Sequence, residues 1–209
     1  MDVEVFVNGP SRSFPGVVPT IPGCGVILAG IIDDHALATA AAGKVDFVAI
    51  ELGIECLAHH IGLDADKALA KIVGFARFRL GTAEPTNLIE LVATSWTDKA
   101  AVAAARAAFE AAGFVVASCA DRPGRIVNRL IRPYFNAVLR RLDDRLATAE
   151  DMDTTLRLGL GYPSGPNALL TQTGLADHCD ISEALHIALG DPDFAPARRA
   201  QVARHRARM

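Results

Sequence analysis

The stretch that decides the fold of the C-terminal part runs from Asp121 to Tyr134 and reads Asp-Arg-Pro-Gly-Arg-Ile-Val-Asn-Arg-Leu-Ile-Arg-Pro-Tyr. From Pro123 onward, apolar residues recur at helical spacing, and proline is tolerated in the first turn of a helix. A second stretch, Gly159 to Leu170, reads Gly-Leu-Gly-Tyr-Pro-Ser-Gly-Pro-Asn-Ala-Leu-Leu. The two stretches predict a helical domain over residues 120–209.

Between these stretches, Thr148 and Asp151 have the spacing of a capping box, which predicts a helix that Gly159 ends. A further helix is predicted over Ser182–Leu189. The proline and glycine residues of Gly161–Pro166 predict a turn that fixes how two helices approach each other.

The first part of the chain has the alternation of a βαβ unit. Strands are predicted at Val3–Val7, Gly25–Leu28 and Val45–Ile50, each apolar enough for a strand that is covered on both faces. Between the last two, Asp33–Ala42 is alanine-rich and is followed by Gly43, which predicts a helix with a glycine stop.

Further strands are predicted at Ile89–Ala93 and Phe114–Ser118. Between them, a helix is expected to begin after Thr97 as its N-cap and to run through Ala112. Because strands and helices alternate in this part, we predict a small α/β sheet domain over residues 1–119.

The loop after the first strand lacks the glycines of a dinucleotide-binding fold. Residues 8–23 contain four prolines and offer one glycine in the run Asn8-Gly9-Pro10-Ser11-Arg12-Ser13. Since prolines exclude a regular helix and the backbone needs glycines to approach a pyrophosphate, the phosphate cradle is predicted to be absent. Gly23-Cys24-Gly25 precedes a strand and predicts a tight turn.

Composition limits the possible partners and the compartment. The 209 residues are 51% hydrophobic and carry a formal net charge of −3, which indicates a folded protein and argues against a nucleic acid partner. The arginines after residue 197 are interpreted as a solvated, frayed tail. The four scattered cysteines predict buried free thiols, and no signal peptide or membrane span is recognisable, so we expect a cytoplasmic protein without membrane partners.

The two C-terminal motifs, in this order, resemble the C-terminal helical domain of the 3-hydroxyacyl-CoA dehydrogenases. These oxidoreductases of fatty acid metabolism oxidise the β-hydroxyl of an acyl-CoA thioester with NAD. The resemblance implies an α/β plus all-α fold, in which a small, degenerate Rossmann-like domain precedes the helical domain. It also implies a homodimer through the helices of residues 124–189.

In the resembled family, a Gly-x-His-Phe-Phe-Asn-Pro segment carries the catalytic histidine, and a glutamate twelve residues later orients it. Glu90 matches that glutamate. An ungapped count places Phe78 at the histidine, and a two-residue gap places Ala76 there, so neither alignment restores the base. Either His59 or His60 is the alternative candidate for a substitute base.

Asn128 corresponds to the asparagine of the family motif Pro-Gly-Phe-Ile-Val-Asn-Arg, which helps to hold the substrate. Arg125 occupies the position of the motif's phenylalanine, and Arg129 matches the motif's arginine. Thr171 stands where the family usually has an aspartate. The family positions of a catalytic site are therefore Glu90 and Asn128.

The missing cradle and base lead to one hypothesis and two alternatives. The hypothesis is a noncatalytic or acyl-CoA-binding subunit that uses no cofactor and works as a homodimer or within a larger dehydrogenase assembly. The first alternative is an active NAD-dependent 3-hydroxyacyl-CoA dehydrogenase with an unrecognised base. The second is an oligomerisation module that binds no ligand.

Overall fold

The computed structural model describes residues 2–209, which form two compact units. One unit consists of the chain up to Arg79 together with Pro85–Ile126, and the other of Leu80–Glu84 together with Val127–Met209. The α/β plus helical fold class predicted from the sequence is confirmed.

The first unit is built on a six-stranded sheet in which the strands follow one another in chain order. The first four strands are parallel, the fifth is antiparallel to the fourth, and the sixth is parallel to the fifth. The strands are β1 (Glu4–Asn8), β2 (Gly25–Gly30), β3 (Phe47–Glu51), β4 (Ile72–Arg77), β5 (Leu88–Ala93) and β6 (Val115–Ala120).

Three helices belong to this unit: α1 (Asp34–Ala42), the short α2 (Ala58–Ile61) and α3 (Lys99–Ala111). The N-cap of α3 is Asp98, whose carboxylate accepts from the Ala100 N–H. The predicted cap Thr97 was therefore wrong; its hydroxyl accepts from the Thr94 N–H instead.

Each face of the sheet has its own hydrophobic core. In β3, Phe47 and Ala49 pack on the α3 face, and Val48 and Ile50 pack on the α1 face. The connection from β1 to β2 crosses the α3 face, whereas α1 connects β2 to β3 across the opposite face. The two parallel crossovers therefore have opposite hands, and one of them is of the rare left-handed kind.

Two strand expectations are corrected. β1 was expected to be covered on both faces, but it lies at the edge of the sheet, and four of its five residues are exposed. β4 was not predicted, although five of its six residues are buried. It contains Gly74, whose missing side chain leaves room for Leu52, so the strand lacks an unbroken run of β-forming residues.

The second unit is helical, with the segment 80–84 added to it. Its helices are α4 (Val127–Asp143), α5 (Ala149–Leu160), α6 (Pro166–Thr173), α7 (Leu175–Leu189) and α8 (Arg198–Ala207), with a 3₁₀ turn at Pro192–Phe194. The Thr148 cap is confirmed, because its hydroxyl accepts from the Asp151 N–H.

Three helix boundaries differ from the predictions. α4 begins at Val127 and not at Pro123, since Arg125 adopts a positive φ of 52°. α5 passes through Gly159 and ends before Gly161, which is left-handed. α6 was not predicted, and α7 begins seven residues before the predicted Ser182.

The C-terminal arginines are not a frayed tail. They lie on α8, which buries Ala200 and pairs Arg204 with Glu183 and Arg208 with Asp180 on α7. Of the four cysteines, all unbridged, only Cys179 is fully buried. Among residues 2–209, no helix has the length and apolar character that crossing a membrane requires.

Candidate functional site

Glu90 lies in the middle of β5 with 1% of its surface exposed. One carboxylate oxygen accepts from the Ile126 N–H at 2.8 Å, and the other lies 3.5 Å from Nε of Arg125. Glu90 is therefore held in a buried ion pair with Arg125, the residue that departs from the family motif. Burial and the nearby Glu90 carboxylate also raise the pKa of the Cys119 thiol to about 11.

The Arg125 side chain also fixes a neighbouring loop. Its guanidinium donates to the carbonyl oxygens of Gly53 and Glu55, and 4% of the residue is exposed. Arg125 adopts a positive φ of 52°, which is uncommon for a residue other than glycine. Arginine stays protonated at any physiological pH, so it cannot accept a proton from a substrate.

The register of the sheet places Ala76 directly opposite Glu90 in the antiparallel pair of β4 and β5. Side chains that lie opposite each other in such a pair share one face of the sheet. Phe78 follows the end of β4, and its carbonyl oxygen accepts from the Thr86 N–H in the connection to β5. Of the two sequence alignments, the register favours the one that puts Ala76 beside Glu90.

The carboxyl ends of the parallel strands, where such folds bind ligands, hold Glu51. Its two oxygens accept from the Ser13 N–H at 2.6 Å and from the Gly30 N–H at 2.7 Å. Ser13 belongs to the proline-containing loop after β1, which is fixed further by Arg77, since Arg77 donates to the Ser13 carbonyl oxygen. These two N–H groups are thus already bound by a carboxylate of the chain.

A cavity of about 210 Å³ adjoins Glu51 and is lined in part by Arg12, Glu55 and His60. Nε2 of His60 lies 3.5 Å from the Glu55 carboxylate. Burial alone would raise the pKa of Glu55, but the nearby His60 imidazole and a hydrogen bond from the Gly53 N–H outweigh it and lower that pKa to about 2. The cavity is smaller than the roughly 300–1,000 Å³ of typical ligand sites.

In the helical unit, Asn128 begins a chain of buried polar groups. Its side-chain oxygen accepts from Nε of Arg132 at 2.9 Å, and the Arg132 guanidinium lies 3.1 Å from Nδ1 of His178. Nε2 of His178 lies 3.0 Å from the side-chain oxygen of Asn136. The Asn136 amide donates in turn to the carbonyl oxygen of Phe194, so the chain joins α4 to α7 and to the 3₁₀ turn.

His178 is fully buried and neutral. Burial, followed by the nearby Arg132 charge, lowers the pKa of His178 to about 3. Because the arginine can only donate, Nδ1 accepts, and the ring proton is assigned to Nε2, which donates to Asn136. This arrangement satisfies the imidazole without a charge.

Two glycines of the helical unit permit close backbone approaches. At Gly165 a Cβ would lie 2.2 Å from Cβ of Asp153, whose carboxylate accepts from the first N–H groups of α6, those of Asn167 and Ala168. At Gly81 a Cβ would lie 1.6 Å from the Thr173 carbonyl oxygen. The glycine and proline turn predicted from the sequence is confirmed as the junction of α5 and α6.

Glu90 and Asn128 were predicted from the sequence, but the groups that bind them were not. Asn128, Arg132 and Asn136 recur at every fourth residue, so this spacing alone would have placed them on one face of α4. Arg129 and Thr171, by contrast, are exposed. Nothing in the sequence indicated that Glu51 would bind the loop that contains Ser13.

The helical unit is the part of the chain that matches a known family. Residues 124–207 match the family described as 3-hydroxyacyl-CoA dehydrogenase, C-terminal domain, which confirms the resemblance predicted from the motifs. One similar protein is the 3-hydroxybutyryl-CoA dehydrogenase of Mycobacterium tuberculosis. The two chains are 36% identical over 110 residues, which make up 52% of this chain and 38% of that protein. The human mitochondrial hydroxyacyl-coenzyme A dehydrogenase is 40% identical over 89 residues, 43% of this chain and 28% of that protein.

Solved structures extend the likeness of fold to the first unit. The structure of FadB2 from M. tuberculosis has a TM-score of 0.70 and 25% identity, covering 87% of this chain and 65% of that chain. The structure of (S)-3-hydroxybutyryl-CoA dehydrogenase PaaH1 from Ralstonia eutropha has a TM-score of 0.72 and 24% identity, and the match covers 85% of this chain and 63% of that chain. This chain thus corresponds to less than two thirds of each of these relatives.

Proposed function

We propose that the protein is a noncatalytic, acyl-CoA-binding relative of the 3-hydroxyacyl-CoA dehydrogenases that works without NAD. The observation that carries the proposal is the buried pair of Glu90 and Arg125. A glutamate that would orient a catalytic histidine faces Ala76 across the sheet and lies against an arginine. Neither neighbour can act as a general base.

The absence of a cofactor is supported at the carboxyl edge of the sheet. A pyrophosphate binds to backbone N–H groups that are free to donate. Here the N–H groups of Ser13 and Gly30 donate to the Glu51 carboxylate, whose negative charge also repels a phosphate. A dinucleotide would have to displace a buried side chain of the protein itself.

Binding of an acyl-CoA is supported by the helical unit, where Asn128 stands at the substrate-holding position of the resembled motif. Arg132 holds the oxygen of its amide, so the Asn128 NH₂ group remains available to donate to a thioester carbonyl.

The homodimer through the helices is part of the same proposal. α5 buries none of its residues within this chain, and Leu158 on α5 and Ile187 on α7 are 82% and 78% exposed. Apolar side chains that are this exposed on helices are typical of subunit contacts. If Leu158→Glu leaves the mass in solution unchanged, this contact is wrong.

Calorimetric titration near pH 7 tests the ligand. We expect heat with acetoacetyl-CoA and none with NAD or NADH, and we expect Asn128→Ala to weaken acetoacetyl-CoA binding by about tenfold, the effect of one lost hydrogen bond. Arg129→Ala, an exposed neighbour on the same helix, serves as the matched control. Dinucleotide binding would contradict the proposal, and so would the absence of binding by every ligand.

One observation favours the active alternative, namely the pairing of His60 with Glu55. A carboxylate beside an imidazole is a common arrangement for a general base. Reduction of acetoacetyl-CoA by NADH would support this alternative if His60→Gln abolishes it while His59→Gln does not.

A further inference from the structure

Among residues 2–209, no strand pairs with the outer edge of β1, and the hydrogen-bonding groups of that edge can be assigned. The Asn8 carbonyl oxygen accepts from the Ile31 N–H beside the end of β2, so the backbone groups of Asn8 point toward β2. Because these groups alternate in direction along a strand, those of Phe6 and Glu4 also point toward β2. The N–H and C=O groups of Val5 and Val7 therefore point away from the sheet.

This open edge has defined ends. Before it, Val3 donates to the Ile21 carbonyl oxygen, so the edge is occupied there. After it, Gly9 turns the chain with a φ of 74°. The free stretch is thus Glu4–Asn8, and it has no proline, lysine or bulge of the kind that protects exposed strand edges. Within it, Phe6 is 55% exposed and Val7 is 41% exposed.

We propose that this edge pairs with the same edge of a second copy of the chain, antiparallel about a two-fold axis at Phe6, so that two six-stranded sheets become one. In this register Val5 lies opposite Val7 of the second copy, and both residues offer outward groups. Each of the two Val5–Val7 pairs exchanges two hydrogen bonds. Phe6 lies opposite Phe6 in the pair that is not hydrogen-bonded.

The side chains also favour this register. Glu4, Phe6 and Asn8 share one face of β1, where Glu4 comes opposite Asn8 of the second copy, so a carboxylate meets an amide and no like charges meet. Phe6 lines a cavity of about 680 Å³ together with Val26, Leu28 and α1. The Phe6 of the second copy extends the apolar wall of this cavity.

Other two-fold registers fit less well. An axis at Glu4 places two carboxylates opposite each other. An axis at Val5 places the outward groups of Val7 opposite Val3, which already donates to Ile21. An axis at Val7 leaves Val5 opposite the turn at Gly9. The axis at Phe6 alone uses the outward groups of both valines.

Disulfide trapping tests the register. Opposite residues in a pair that is not hydrogen-bonded have Cα atoms about 4.5 Å apart, within the range that a disulfide spans. We expect Phe6→Cys, in a Cys24→Ser background, to form a covalent dimer on mild oxidation. Glu4→Cys alone should not, because the register separates the two copies of residue 4 by roughly 13 Å along the strand. A mixture of Glu4→Cys and Asn8→Cys chains should form the mixed dimer.

A second measurement does not depend on cysteine chemistry. Phe6→Lys places two charges opposite each other at the axis, and we expect it to halve the mass in solution while the circular dichroism stays the same. The effect should persist in a Leu158→Glu background, because the helical contact is a separate surface. The proposal is overturned if Phe6→Cys cross-links no faster than Glu4→Cys, or if Phe6→Lys leaves the mass unchanged.

Discussion

At the residue scale, the departures from the family motif belong together. Ala76 stands opposite Glu90, and Arg125 contacts the carboxylate that a histidine would otherwise use. A carboxylate buried to this degree needs a cation or several donors, because an isolated charge in the interior is costly. Glu90 and Arg125 therefore form a buried structural pair, which supports the proposal that Glu90 does not orient a base in this protein.

Arg125→Leu should show how strongly this pair matters to the fold. Removing one partner of a buried ion pair typically costs about 3–5 kcal/mol, because the other charge is left behind. We expect such a decrease in the free energy of unfolding, measured by urea denaturation. In the double variant Arg125→Leu/Glu90→Gln, part of the loss should return. A cost below about 1 kcal/mol for the single variant would contradict the buried pair.

Gly81 offers a second prediction at this scale. Its φ of 54° already disfavours a side chain, and a Cβ would collide with the Thr173 carbonyl oxygen. At Gly190 the φ is 67° and nothing lies within 4 Å of a Cβ, so Gly190→Ala should cost only about 1 kcal/mol. We expect the decrease in melting temperature caused by Gly81→Ala to be several times the decrease caused by Gly190→Ala, which is the control. Equal shifts would mean that the segment can move away from Thr173.

At the element scale, the sequence predicts what local chemistry determines. The strands at β2, β3, β5 and β6 follow from apolar runs, and the cap of α5 follows from Thr148. The expectations that failed depend on distant contacts. β4 is a strand because Leu52 packs over Gly74, and α8 is ordered because α7 supplies Glu183 and Asp180. Glu90 was identified from a motif, whereas its partner Arg125 required a turn with a positive φ.

The buried chain that joins α4 to α7 should make stability depend on pH. His178 has a folded-state pKa of about 3, below its ordinary value of 6.5, so the unfolded state takes up the proton first as the pH falls. Stability is therefore fully present above about pH 7 and is lost as the pH falls from 6.5 toward 3. Between pH 7.5 and pH 5 we expect a decrease of about 2 kcal/mol.

Denaturation of the His178→Gln variant at the same pH values separates this effect from that of other groups. The decrease in the free energy of unfolding between pH 7.5 and pH 5 should be smaller in this variant, even if its stability at pH 7.5 is lower. His205→Gln, at an exposed position on α8, is the control and should keep the pH dependence of the wild type. An imidazole resonance of His178 that titrates near pH 6.5 in the folded protein would contradict the buried chain.

At the scale of the whole molecule, dehydrogenation needs two sites, and the proposal of a noncatalytic protein rests on a different feature of each. On β5, Glu90 lies opposite Ala76, and at the carboxyl edge of the sheet Glu51 accepts from the N–H groups of Ser13 and Gly30. Because hydride transfer needs both a cofactor and a proton acceptor, repairing one site leaves the reaction without the other component. The two features can therefore be tested separately.

The double variant Ala76→His/Arg125→Phe restores the residue types of the resembled motif around Glu90. We expect it to bind acetoacetyl-CoA as the wild type does and to show no oxidation of NADH with that substrate, since Glu51 still occupies the N–H groups of Ser13 and Gly30. Ala76→Gln/Arg125→Phe is the matched control, with a polar side chain of similar size but no base. If the histidine variant turns over NADH and the glutamine variant does not, the protein retains a dinucleotide site, and the proposed absence of a cofactor is wrong.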